Sequence, residues 1–474
     1  MMTVQEKPTA VNHFHLPPWQ MILYASGSLA VALSYQAFAT YIQFLYIDIL
    51  GLSAAVVGVV WSIYGVWNAV NDPLSGYWSD RTRSRWGRRI PWIAGAFLPL
   101  ALTFYLLWLP PTALVNDPGR LLLFYFLALV LAFDLLWTIV AVNWTALFPE
   151  MIPDQKQRAA VSGWRQTFSL VGLMVGVALP PLLAGETWTN RGSMALLLAV
   201  IVAVFFALSL LGSRERQTPQ SAPLPFWAAL RATARNRNFL IFLGANLAIQ
   251  LIFMLLTATT PFYTKYVLRL REPVPVPGAA ITLDVATQTS LFLAVAFIAA
   301  LPAMLLWTIV ARRQGAWWAL RAVCLAAAAT LLLFFLPDSF YEGIAATALF
   351  GLSLAGLMML PDLLIAELVD ADEAVTGVRR EGFYFGVNGF VIRFAFSIQG
   401  LLSGYILTRS GYVAASATVL YPEQPPAAIL GIRMLIGGLP ALAALLAFLV
   451  LGGYRLRSGQ LSRKGRPVVG RPSG

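Results

Sequence analysis

The chain has 474 residues, of which 59% are hydrophobic and 11% charged, and its mean hydropathy is +0.72. A water-soluble protein of this length needs a far more charged surface, so most of the outer surface faces lipid and the soluble globular classes are excluded. The net charge of +12 lies in short clusters between apolar runs, which fits the edges of a bilayer and points to no nucleic-acid partner.

Residues 1–19 are polar, carry one Lys and lack a small-residue cleavage site, so they read as a tail and not as a removable signal. Apolar stretches of roughly 20 residues or more, long enough to cross a bilayer, then fall at 20–47, 54–78, 90–109, 120–148, 160–184 and 192–212. A second set of six falls at 239–264, 287–311, 317–336, 342–368, 382–408 and 427–453. Backbone groups cannot go unpaired in hydrocarbon, so these runs are expected to be helices. The expected fold class is therefore an all-α integral membrane protein of twelve transmembrane helices in two six-helix bundles, 20–212 and 239–453.

Residues 213–238 read as the linker between the bundles, with an amphipathic stretch around Phe226 to Ala234 lying at the membrane surface. Residues 454–474 form a basic tail. An even number of spans puts both termini on one side. With that side cytoplasmic, 23 Lys and Arg lie inside and 6 outside, which sets the orientation in a plasma membrane, such as a bacterial inner membrane. Cys324 sits in an apolar run, can form no internal disulfide and reads as packing.

Charged groups inside apolar helices are costly unless they pair, face water or act on something. In the second span Trp61, Tyr64, Gly65, Asn68 and Asp72 recur on one helical face. Asp72 can hold a proton or a cation there, or pair with a nearby basic residue and fix packing. Asp134 in the fourth span shares a face with Thr138, Ala141 and Thr145, and any cationic partner must come from another helix. It reads as a substrate or proton group, or as half of a buried structural pair.

Arg393 in the eleventh span is surrounded by Gly386, Gly389, Ser397, Gly400 and Gly404, small residues that let another helix bring up a carboxylate. Arg165 in the fifth span precedes Ser169, Gly172 and Gly176 in the same way, and could instead snorkel to the interface. In the first span Tyr35 and Gln36, with Tyr24, Tyr41 and Gln43, can stack on a ring or bond hydroxyls in a cavity, although aromatics in such helices also serve as packing. Asp362 and Glu367 in the tenth span can reach the cytoplasmic interface. The chain holds no GxxxxGK[ST] loop and no HExxH, and both His residues, His13 and His15, are in the N-terminal tail. Nucleotide-driven pumping and metal-dependent hydrolysis are therefore not expected, nor is any enzyme activity.

The segment WNAVNDPLSGYWSDRTRSRWGRRIP from Trp67 to Pro91 resembles the major facilitator superfamily, and within it the glycoside-pentoside-hexuronide:cation symporters. ALFPEM at Ala146 to Met151 and VDADEAVTGVRREGFYF at Val369 to Phe385 are similar to further stretches of that family, in the expected order. The resemblance implies the major facilitator fold, alternating access between two rocking bundles, and sugar bound at midplane with sodium, lithium or a proton. It also implies that Asp80, Arg81, Arg85, Gly87, Arg88 and Arg89 form the gating loop between the second and third helices.

Departures from the family pattern carry information too. The family's cation site uses two acids one turn apart in the second helix, where this chain has Asn68 and Asp72; an amide brings oxygen without charge, which favours a proton over sodium. The family's sugar-binding acids in helices one and four are replaced by Ala32 and about Ala141, and Asp134 could compensate. The family's helix-eleven Lys corresponds to Arg393, which holds carboxylates in a fork and cannot release a proton.

The expected function is proton- or other cation-coupled symport of a sugar, glycoside or related polar solute, by a monomer with no bound cofactor, its partners being the lipid bilayer and a small-molecule substrate. The alternatives are a lipid or amphiphile carrier of the same fold and a non-transporting membrane sensor. Substrate identity and the direction of transport are not legible in the chain.

Overall fold

The computed structural model describes residues 16–115, 119–152, 155–215, 236–278, 281–376, 381–416 and 419–454. The amphipathic stretch at 226–234, both outer tails and part of the loop that carries Arg379 and Arg380 lie outside the described residues.

Among the described residues twelve helices are long and apolar enough to cross a membrane. In chain order they are α1 (Pro18–Phe44), α2 (Ala54–Arg81), α3 (Ile90–Trp108), α4 (Arg120–Met151), α5 (Gln155–Ala184) and α6 (Arg191–Gly212), then α7 (Arg237–Phe262), α8 (Val285–Gln314), α9 (Ala316–Leu332), α10 (Phe340–Thr376), α11 (Glu381–Arg409) and α12 (Pro426–Leu451). Each overlaps one expected span, most ends agreeing to within a few residues; α2, α4, α5 and α8 run about a turn longer and α10 reaches eight residues further, to Thr376, because helical hydrogen bonding can continue past the apolar stretch. The one departure from an all-helical description is a small hairpin between α7 and α8, in which β1 (Val274–Pro275) pairs antiparallel with β2 (Thr282–Leu283).

Local chemistry marks several helix starts. The Ser53 hydroxyl accepts from Val56 N at 3.3 Å, Asn236 Oδ1 from Phe239 N at 3.2 Å and Asp284 Oδ1 from Thr287 N at 3.2 Å. Prolines lie inside α3, α5, α7, α8 and α10, each leaving a carbonyl without its helical donor. Side chains bond some of the carbonyls nearby: Thr103 donates to Pro99 O at 2.7 Å, and Thr264 to Pro261 O at 3.1 Å. Three helices contain or end in a wide π-turn, at Leu45–Ile49 beyond α1, Tyr263–Val267 beyond α7 and Met434–Gly438 within α12.

Within the first half α1 packs on α5 and α6, and α3 on α4 and α6; within the second, α7 packs on α11 and α12, and α8 on α10. The halves meet through α2 against α11, α5 against α8 and α1 against α7. With α2 on α4 and α9 on α10 and α12 added, these pairings map onto one another when each helix is exchanged for the one six places away, the pattern of two repeats related by an axis along the membrane normal.

The α2–α11 seam is nearly bare of side chains where it is tightest. A Cβ on Gly58 would stand 2.6 Å from Gly400 O, one on Gly404 2.8 Å from Ala54 O, and one on Gly65 2.5 Å from Ser397 N. Small residues permit this approach. Gly386 and Gly389, expected to belong to the same contact, have open space beside them.

Candidate functional site

Where the bare seam ends, α2 and α11 exchange their one described ion pair. Arg393 Nη2 lies 2.9 Å and its Nε 3.2 Å from the same oxygen of Asp72. The other Asp72 oxygen accepts from Thr138 of α4 at 3.1 Å. The two side chains keep 25% (Asp72) and 20% (Arg393) exposure, so neither is sealed off by packing. The carboxylate partner expected for Arg393 is thus Asp72, and the ion pair spans both bundles.

Asp134 has a different environment. It is 2% exposed, and its two oxygens accept from the amides of Asn68 and Asn71, the latter at 3.1 Å. Ser75 in turn donates to Asn71 Oδ1 at 3.4 Å, a register that holds the amide for Asp134. This corrects one part of the expectation: Asn68 does not stand with Asp72 as a pair. Three residues one turn apart on α2 are divided instead, two amides serving Asp134 and the one acid serving Arg393. The oxygen of the Asn68 amide is buried without a partner.

Aromatic side chains wall the charged groups. Tyr35 lies 5.0 Å from Trp137 and 6.2 Å from Phe396, ring centre to ring centre, and Tyr64 meets Phe396 edge-on at 5.2 Å. Both tyrosines feel the charges of Arg393, Asp72 and Asp134, which puts them in one site with the acids. Gln36 differs from expectation, because its amide donates to Thr40 of its own helix at 3.1 Å and to no other site residue.

Arg165 occupies a second station nearer the loop 82–89. Its guanidinium sits over the rings of Trp144 at 4.4 Å and Phe148 at 4.7 Å, and no carboxylate pairs with it among the described residues. Tyr24 stacks behind Trp144 at 5.1 Å, and Trp144 is itself fixed by donating to Ser209 at 2.8 Å. Ring faces hold a cation without neutralising its formal charge, so this arginine remains available to an anionic or hydroxyl-rich ligand. Gly172 and Gly176 bring α5 against Leu29 and Leu33 of α1.

The loop expected to gate divides into two groups. Arg88 and Arg89 bond Glu150 at 2.6 and 3.1 Å, and Arg89 reaches Asp80 at 3.0 Å. Glu215 closes the cluster by accepting from the backbone N–H of Arg88, Arg89 and Ile90 at 2.9, 2.8 and 3.3 Å, a carboxylate at the positive end of α3. Gly87 has φ +101° and its Cα faces Glu215 so closely that a Cβ would stand 2.3 Å from the carboxylate, which accounts for glycine there. Arg81 and Arg85 do not join: they lie over the rings of Tyr77 and Trp86.

Three participants escape a reading of the sequence. Glu150 was visible only inside the ALFPEM string, Glu215 only as a linker charge, and Asp48 not at all. Asp48 is fully buried at the far end of the seam and pairs with Lys265 at 2.5 Å. A carboxylate within an apolar LYIDIL run was the available signal.

Residues 23–458 match the family model described as MFS/sugar transport protein. The chain is 27% identical to the isoprimeverose transporter of Lactiplantibacillus pentosus, covering 87% of this chain and 84% of the relative. It is 25% identical to the putative glycoside/cation symporter YagG of Escherichia coli (94% of each chain) and 23% identical to the sphingosine-1-phosphate transporter MFSD2B of Xenopus tropicalis (91% of this chain, 87% of the relative). Among solved structures it is similar in fold to the nucleoside transporter NupG, with a TM-score of 0.65 at 12% identity over 91% of this chain and 99% of that one.

Proposed function

The chain belongs to the MFS/sugar transport protein family, and from that premise we propose that it is a secondary transporter that couples a sugar or glycoside to a proton at the Asp72–Arg393–Asp134 site. The observation that carries this reading is the division of labour among the acids. Asp72 is held by the guanidinium of Arg393 on the other half, so anything that loosens the halves must re-partner both. Asp134 is bonded by neutral amides alone. A carboxylate in that setting gains most from taking up a proton when the cavity is dry, and releases it when water returns.

Substrate hydroxyls would be met by Tyr35, Tyr64 and the amides, and apolar sugar faces by Trp137 and Phe396. Arg165 extends the same path toward the basic loop. The excess of basic residues on one side supports cytoplasmic termini and a plasma-membrane location, the inner membrane in a bacterium.

In proteoliposomes, a pH gradient should drive accumulation of a xylose-containing disaccharide or a simple glycoside without sodium. Asp134→Asn should abolish the accumulation and spare equilibrium exchange. Uptake by the parent protein that follows sodium and ignores the pH gradient would overturn the proton assignment.

A second reading, an amphiphile carrier, has one observation in its favour. A groove of about 390 Å³ runs along the outer face of α2, lined by Ser62, Ile63, Val66, Trp67 and Val70, where an acyl chain could lie. Thermal stabilisation of the purified protein by lysolipids and not by glycosides would select it.

A further inference from the structure

Asp48 is 0% exposed, and its ion-pair partner Lys265 keeps 10%. Its carboxylate accepts from Lys265 Nζ at 2.5 Å, Tyr412 Oη at 2.5 Å, Tyr266 Oη and the backbone N–H of Ala415 at 3.2 Å. Every one of these donors belongs to the second half, whereas Asp48 belongs to the first. Lys265 is in turn flanked by the rings of Phe44, Tyr266 and Tyr421 at 5.2–5.5 Å. Asp48 is therefore enclosed and depends on these donors, while Lys265 borders a small pocket that Phe44, Glu186 and Tyr421 also line.

The backbone beneath is matched. Asp48 sits in the π-turn Leu45–Ile49 and Lys265 and Tyr266 in the π-turn Tyr263–Val267, the ends of two helices six places apart. A π-turn swings side chains round by an extra residue, and such turns concentrate at working positions. One layer nearer the substrate site, Gln43 and Gln399 exchange reciprocal amide bonds at 3.0 and 3.1 Å across the same two halves, and Ser403 accepts from Gln399 at 2.9 Å.

We propose that Asp48 is a latch: its capture by Lys265, Tyr266, Tyr412 and the Ala415 amide holds the seam shut at the end remote from the basic loop, and its release is required for the substrate site to open there. The latch makes no contact with the substrate site, so it acts on the balance between conformations and not on affinity within one of them. The proposal rests on the transport reading for its purpose, but its test measures accessibility and not uptake, so the two can fail separately.

Cys324, fully buried in α9, leaves a low background for thiol labelling. Two reporters are placed singly: Ser403→Cys, buried beside the Gln43–Gln399 pair, and Thr145→Cys, exposed on the Asp134–Thr138 face of α4 toward the basic end. Membrane-impermeant maleimide is applied from either side of oriented vesicles. Asp48→Asn or the milder Lys265→Gln should speed labelling of Ser403→Cys from the remote side by roughly tenfold and slow labelling of Thr145→Cys from the other, as expected for a population shift of that size. The exchange Asp48→Lys with Lys265→Asp should restore both rates toward the parent. Unchanged Ser403→Cys labelling in both single variants overturns the latch. So does a rise at both reporters together, because that signature is a loosened fold.

Discussion

Among the described residues two ion pairs join the halves, and they differ in how much water reaches them. Asp72–Arg393 keeps 25% and 20% exposure, with the second carboxylate oxygen bonded by a threonine. Asp48–Lys265 keeps 0% and 10%, with each carboxylate oxygen taken by donors from the opposite half. The same Asp–cation chemistry thus serves opposite ends. An ion pair that water can reach can trade partners with an arriving solute at modest cost, whereas a dry one holds until the whole layer parts.

The sharpest way to break this comparison is to truncate the less buried pair. Arg393→Ala should lower substrate uptake by about 100-fold or more; normal uptake in Arg393→Ala proteoliposomes would remove the pair from the mechanism. Stability should sort the pairs the other way. Asp48→Ala strands a buried lysine and should destabilise by about 3–5 kcal/mol, whereas Asp72→Ala, which strands a less buried arginine, should cost less, about 1–3 kcal/mol, a contrast readable as melting temperature in detergent. The smallest effect separates the members of the basic loop. Arg89→Ala breaks bonds to Glu150 and Asp80 and should impair exchange several-fold, while Arg81→Ala, which lies on Tyr77, should stay within about twofold.

The spans were legible because hydrocarbon imposes one rule on every residue in them, and length with apolarity expresses that rule directly. Arg393 and Asp72 were each legible as costly charges, and so was the need for close helix approach beside Arg393. Their pairing was not, because it depends on how far α2 and α11 are rotated and slid against each other. The same rotation decides that Asn68 turns to Asp134 rather than to Asp72, a three-dimensional fact with no trace in spacing alone. Gln36 had the composition of a binding residue and bonds its own helix. Asp48 was hidden for another reason: at the end of a span an acid reads as one more group at the water boundary, and the π-turn that carries it inward has no sequence signature.

The bare α2–α11 line has a mechanical meaning. Interlocked leucines would act as gear teeth and would have to disengage whenever one half tipped against the other. Where Gly58, Gly400 and Gly404 meet, main chain rests on main chain, and two smooth rods in contact can roll through several degrees without lifting apart. On that strip tilting would cost least. A methyl group added anywhere along it would work as a wedge, jamming the molecule in one tilt without touching a charged residue.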